Sequence, residues 1–321
     1  MIAVNVYKMK DIDLRSVSAF IMHVKKASGE WREETAIDNV ENSMNRSFGE
    51  TDDIIILAED GGELLGCVLL HLKEGNQAEI NPWFLRGLPI VRQESEDFDI
   101  SEKLIIRTRD YVQETGITRV EMTFPREKRS EQVKAILQHC GLILVEEIVH
   151  MRENLSGLTI DAPEVPESIE KRVLLQVSLE DLFACWSETF QHGQDRSILA
   201  RSSEERRAFF NESFDFTKPL IETASLALIH NSVVIGFSLV RPTHGEKNGH
   251  IWELGISPAF RRQGLAKYLI AEAKEQLEEL GFTTMSLNVD TDNRIAFNLY
   301  KAIGLQEDWC MVTYGWLDFT K

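Results

Sequence analysis

The sequence predicts an α/β protein made of two tandem copies of one architecture, each a mixed, strongly twisted sheet flanked by helices. Three observations carry this expectation. The C-terminal half reads as strand, glycine-bearing turn, helix, strand and helix over residues 250–305. Segments of the N-terminal half repeat that order, and a chain of 321 residues is about twice as long as one such domain needs.

The repeat is legible in three stretches. ETGITRVEMTF (114–124) mirrors ELGFTTMSLNV (279–289), which sets Gly116 on Gly281. SEQVKAILQHCGL (130–142) mirrors NRIAFNLYKAIGL (293–305), with Gly141 on Gly304 and Ile136 on Leu299. Upstream, AEDGGELLGCVLLH (58–71) parallels LIHNSVVIGFSLV (228–240), with Gly66 on Gly236. Between the copies, residues 153–170 are rich in Gly, Pro and acids and lack periodicity, as a linker does. The expected division is therefore a first domain over 1–154, a linker over 155–168 and a second domain over 169–321.

In the second copy, the strand HIWELGI (250–256) runs through Pro258 into Arg261, Arg262, Gln263, Gly264, Leu265 and Ala266. A glycine and a small alanine where a turn enters a helix let backbone N–H groups approach an anion, and the helix N-terminus adds partial positive charge. The two arginines add full charges beside it. A helix from Lys267 to Leu280 follows, stopped by Gly281, and then a strand over 284–289. In the DTDN turn, Asp290 and Asp292 read as exposed, with Asp292 or Asn293 as the cap of the next helix. That helix runs to about Ala302 and ends at Gly304, with Ala296, Leu299 and Tyr300 on one face.

R-x-x-G-x-A followed by N-x-x-A-x-x-L-Y-x-x-x-G-L, in this order of elements, resembles the GNAT superfamily of acyl-CoA-dependent acyltransferases. Ala266 stands where many members have Gly, and Leu305 where Phe is frequent. The resemblance implies direct transfer of an acetyl group from acetyl-CoA to a primary amine of a small molecule or peptide, without a covalent enzyme intermediate. It further implies that Leu254 and Ile256 offer backbone groups to pantetheine. The turn from Arg261 to Ala266 would hold the pyrophosphate, Asn293 would contact the cofactor near its thiol arm, and Tyr300 would protonate the departing thiolate. A base is also wanted, because a protonated amine cannot attack a thioester. Glu253 and His250 both lie on the entering strand. Alternation puts them on opposite faces, so at most one faces the acyl group unless a bulge intervenes.

The first copy differs where this chemistry sits. Counted back from Gly116, it has Glu96, Asp97, Phe98, Asp99, Ile100 and Ser101 in place of the turn, and carboxylates there repel a pyrophosphate. Ser130 replaces the Asn and Leu137 the Tyr. The N-terminal half therefore reads as a GNAT-like domain that has lost cofactor binding. Tandem members with one working and one degenerate half are a known arrangement in the family.

The resemblance also implies that the acceptor side lies early in the second half, where Ser178 and Asp181 mark a helix start. Trp186, Phe190, His192, Phe209, Phe210, Phe214 and Phe216 give aromatic density there, mostly core. Nearby acids such as Glu188, Asp195 or Glu212 would favour an ammonium. His244 reads as a solvated loop residue.

Against 52 Asp and Glu the chain sets 35 Lys and Arg, a net charge of −17. That balance argues against nucleic acid or an anionic membrane as partner and suits a cationic amine. Cys67, Cys140, Cys185 and Cys310 form no C-x-x-C pair, which indicates neither a disulfide framework nor a metal. The first residues lack a basic region followed by an apolar run, so a cytoplasmic protein is expected. A monomer is expected too, since intrachain pairing can replace dimer contacts. Two alternatives stay open. One is an acyltransferase using another acyl-CoA or a hydroxyl acceptor, and the other is a non-catalytic acyl-CoA sensor or interaction module.

Overall fold

Strands and helices alternate through the chain in one plan used twice. The computed structural model describes residues 2–32, 35–48, 52–73, 76–82, 85–92, 98–199, 201–243 and 245–317. Glu96, Asp97 and His244 lie outside the described residues. Two units are formed, Met1–Val145 with Met311–Lys321, and Glu146–Cys310.

In the first unit, β1 (Ala3–Lys8) precedes α1 (Leu14–Ala27) and α2 (Ile37–Phe48). β2 (Ile54–Asp60), β3 (Glu63–Lys73), β4 (Gln77–Ile80) and the short β5 (Ile90–Val91) follow. α3 (Phe98–Thr115) crosses to β6 (Arg119–Pro125), and α4 (Glu131–His139) leads into β7 (Ile143–Asn154). The second unit continues with β8 (Ile169–Val173), α5 (Leu179–Gln191), the four-residue α6 (Arg196–Leu199) and α7 (Ser203–Ser213). Then come β9 (Leu226–His230), β10 (Val233–Pro242) and β11 (Asn248–Ile256). α8 (Leu265–Glu279) crosses to β12 (Thr284–Asp290), and α9 (Arg294–Ala302) leads into β13 (Gln306–Leu317).

The pairing is the same in both units. β1, β2, β3 and β4 are antiparallel neighbours and β6 lies parallel to β4. Correspondingly, β8, β9, β10 and β11 are antiparallel and β12 lies parallel to β11. The last place in each sheet is filled crosswise. Residues 311–317 of β13 pair with β6, and residues 148–154 of β7 pair with β12. Residues 146–154 thus belong to the second unit and 311–317 to the first, whereas the sequence reading kept each with its own half.

Apolar faces close the second unit from both sides. Leu182, Trp186, Phe210 and Phe214 of α5 and its neighbours pack on Phe237 and Leu239. On the other face Ile270, Ala273, Leu277 and Tyr300 pack on Val240, Ile251, Met285 and Leu287. Each such side chain contributes about 1.5–3 kcal/mol by leaving water. Local signals set the helix starts: Ser178 accepts from the Asp181 N–H at 3.1 Å, and Ser202 with Glu205 forms a reciprocal capping box before α7.

The Pro- and Gly-rich stretch 155–168 is held on the second unit. Leu155 and Leu158 are buried, the Thr159 N–H donates to the Ile303 carbonyl at 3.0 Å, and Val165 packs against Leu226 and Leu265. All four cysteines are buried thiols. Among the described residues no helix is long and apolar enough to cross a membrane, and no three His, Cys, Asp or Glu side chains are grouped to hold a metal.

Candidate active site

β11 does not stay regular. Opposite Leu239 and Val240 of β10 stand Glu253 and Ile251, so Trp252 is an extra residue, a β-bulge. In an unbroken strand Ile251 and Glu253 would share a face. The bulge instead leaves Ile251 in the core under α8 and turns Glu253 toward α5 and α7, where the Trp186 indole N–H donates to its carboxylate at 3.3 Å. Trp252 itself is 52% exposed.

Past the bulge, β11 leaves its parallel neighbour. The ladder to β12 ends at the Ile251–Leu287 pair, so Leu254, Gly255 and Ile256 keep only β10 as a strand partner. Their free edge borders a cavity of about 870 Å³. The chain then makes a short turn through Pro258 and enters α8 by way of two left-handed residues, Arg262 (φ 63°) and Gly264 (φ 80°). The first amides of α8 have no carbonyl partner within the helix, which leaves donors at the end of the open edge.

Gly264 is required twice over. Its φ lies where a side chain is strained, and a Cβ there would come within 2.3 Å of the Pro163 ring. Pro163 and Asp161 consequently form a wall of the cavity beside the turn.

The cavity brings together ten of the residues singled out in the sequence: Leu254, Ile256, Arg261, Arg262, Gln263, Gly264, Leu265, Ala266, Asn293 and Tyr300. Two of them also have partners within the protein. The Arg261 guanidinium donates to the carbonyls of Ile256 (3.1 Å), His192 (3.0 Å) and Thr189 (2.8 Å), so it fastens the turn to the end of α5. The Asn293 carboxamide caps α9, accepting from the Ala296 N–H at 3.2 Å, and its NH₂ reaches Asp195 at 3.5 Å. In the first unit Ser130 caps α4 through the Val133 N–H at 3.2 Å, and Leu137 lies in the core.

Glu253 and His250 do not line the cavity. Glu253, 8% exposed, sits directly behind Leu254. Burial pushes its carboxyl up to about 7, hydrogen bonds from Ser213 and Trp186 offset part of that, and the Asp195 charge adds to it. His250 bonds Ser286 at 2.8 Å through Nδ1 and stacks on His150; burial, and then the His150 charge, lower it to about 4. An imidazole so placed is neutral near pH 7, but it faces the His150 side of the sheet and not the open edge of β11.

Tyr300 lies on the inner face of α9, 7% exposed, and borders the cavity. Burial, with the charges of Asp195 and Glu253, raises its phenol well above the ordinary range and keeps it protonated. Asp290 corrects another expectation. Read as an exposed turn residue, it is buried, and its carboxylate accepts from the Asp292 and Arg196 N–H groups.

Sequence reasoning named Asp195 only as one of several nearby acids and missed the Trp186 contact, the Arg261 fastening and Pro163. Each of these joins segments far apart in the chain, and no local spacing signals them.

Residues 179–305 match the acetyltransferase (GNAT) family. The C-terminal half carries a GNAT domain. Curated relatives named mycothiol acetyltransferase are 28% identical over 175 residues in Streptomyces avermitilis and 29% identical over 175 residues in Streptomyces coelicolor. Each match covers 53% of this chain and 53% of the relative, so the chain spans about half the length of the curated relatives it matches. Among solved structures, a GCN5-related N-acetyltransferase from Sphaerobacter thermophilus superposes with a TM-score of 0.63 at 17% identity, covering 97% of this chain and 95% of that one. A tandem GNAT protein from the clavulanic acid biosynthesis pathway gives 0.55 at 14% identity, covering 98% of each chain. These two likenesses are ones of fold.

Proposed function

We propose that the second unit transfers the acetyl group of acetyl-CoA to a primary amine of a small molecule or peptide, by direct attack of the amine on the thioester. The observation that carries this reading is the gap where β11 parts from β12. An extended thiol arm can pair with the open edge of Leu254–Gly255–Ile256 as an added strand would. The turn amides and the α8 N-terminus then meet the pyrophosphate, with Arg262 alongside and the Arg261 charge close by. Curated relatives named for an acetyltransferase support acetyl as the acyl group.

Glu253, poised near neutrality behind the cavity wall, receives the amine proton through water. A backbone N–H of the open edge donates to the oxyanion as the C–N bond forms. When the C–S bond breaks, the Tyr300 phenol gives its proton to the thiolate. Holding both reactants in one cavity contributes much of the remaining rate.

The first unit, in this reading, binds no acetyl-CoA. Asp99 stands in the first turn of α3, Leu137 occupies the position of Tyr300, and Ser130 that of Asn293. The whole is proposed to be a monomer, which a light-scattering mass of 36.7 kDa supports and twice that mass overturns.

Isothermal titration with acetyl-CoA and a free-thiol assay over a panel of amines test the proposal. One binding site is expected, weakened about tenfold or more by Arg262→Glu. Tyr300→Phe should lower kcat by roughly a hundredfold with little change in acetyl-CoA affinity. No binding at all overturns the reading, and binding without thiol release makes the unit an acyl-CoA binder.

A further inference from the structure

We infer that Asp195 is the carboxylate that holds the ammonium group of the acceptor amine in this cavity. The inference rests on the acetyl-transfer reading and adds to it a residue that no motif marks.

Asp195 lies in the loop between α5 and α6 and lines the same cavity as Tyr300 and the open edge of β11. The Arg261 charge lies close enough to favour the ionised carboxylate, but neither Arg261 nor the neighbouring Arg196 bonds to it. Arg196 pairs with Asp292, while Arg261 donates to three backbone carbonyls. Among the described residues no lysine or arginine pairs with Asp195, and its side-chain partner is the Asn293 NH₂. The other titratable groups facing it are carboxyls and a phenol: Asp290, Glu253 and Tyr300.

A carboxylate largely removed from water and beside other acids, with no cationic hydrogen-bond donor of its own, is costly in the free protein. An ammonium with three N–H donors supplies what is missing, and a neutral hydroxyl does not. The second observation is Tyr300. Nine-tenths buried, it borders the cavity, and its phenol makes no hydrogen bond to a described residue, which leaves the hydroxyl open to a polar ligand group in the cavity. Asn293, in both of its contacts, becomes the residue that positions Asp195 against the head of α9.

The test titrates hexylamine and 1-hexanol into the CoA-saturated full chain, for wild type, Asp195→Asn and Asp195→Glu. Hexylamine should bind wild type at least tenfold more tightly than hexanol, Asp195→Asn should erase that preference, and Asp195→Glu should restore part of it. Retained CoA affinity in Asp195→Asn certifies the fold. A wild type that takes hexanol as tightly as hexylamine overturns the assignment without recourse to a variant. Ammonium binding without any acetyl transfer would sink the proposed reaction and leave Asp195 assigned. Transfer to amines with an unchanged KM in Asp195→Asn would sink the assignment alone.

Discussion

Glu253 is a carboxyl that costs the fold and that serves, in the proposed reaction, as the base. The bulge at Trp252 turns it under Trp186, and burial lifts it from 4.5 to about 7. A carboxyl whose folded value is raised favours folding fully below about pH 4.5, and that contribution is lost as pH rises through about 7. Glu253→Gln keeps an acceptor for the indole without the charge. Thermal melts should therefore show the variant more stable than wild type at pH 8, by on the order of 2–3 kcal/mol, and little changed at pH 4. Its acetyl transfer should drop by roughly 10²–10⁴-fold. An equal shift in stability at both pH values would contradict the buried-charge account; of the groups that face Glu253, Ser213 and Trp186 do not titrate in this range, whereas Asp195, itself pushed up to about 6, gains its charge between the two measurements and adds to the difference.

The turn into α8 is the element whose features were most legible in the sequence. A glycine between arginines and a helix needs only local rules, and so do the Asn293 cap and the inward Tyr300 about two turns further on. What escaped was set by partners remote in the chain. The bulge exists only in register with Leu239 and Val240, and Arg261 finds its carbonyls on α5. Pro163, in a stretch with no periodicity, rests on Gly264. This last contact separates two demands on one glycine. Asn tolerates a left-handed φ but still carries a Cβ into Pro163; Val tolerates neither. Gly264→Asn should weaken acetyl-CoA binding about tenfold or more, and adding Pro163→Gly should recover most of the loss, whereas Gly264→Val should not be recovered. Calorimetric affinity decides it, and wild-type binding by Gly264→Asn alone would remove Pro163 from the wall.

At the scale of the whole molecule the duplication was visible in matched glycines, because turns and helix ends repeat their residue types. The crosswise last strands were not visible. β7 and β13 each follow a helix that ends before a glycine, and nothing in either pattern says which sheet it will join. Within the first unit, Val312, Tyr314 and Trp316 are core residues, Tyr314 stacks on Phe124, and the Trp316 indole donates to the Cys140 carbonyl at 3.0 Å. A chain stopped after Cys310 forfeits three buried side chains, roughly 5–9 kcal/mol by transfer. Hydrogen exchange should then show protection lost in β6, although the deletion is at the far end of the sequence. Protection lost in β12 and kept in β6 would refute the crosswise pairing. The same pairing orders events during synthesis. At 5–20 residues per second, roughly 10–30 s separate residue 145 from residue 317 as they leave the ribosome. For that interval the unit made first keeps a bare β6 edge, so the domain first to emerge is the last to be finished.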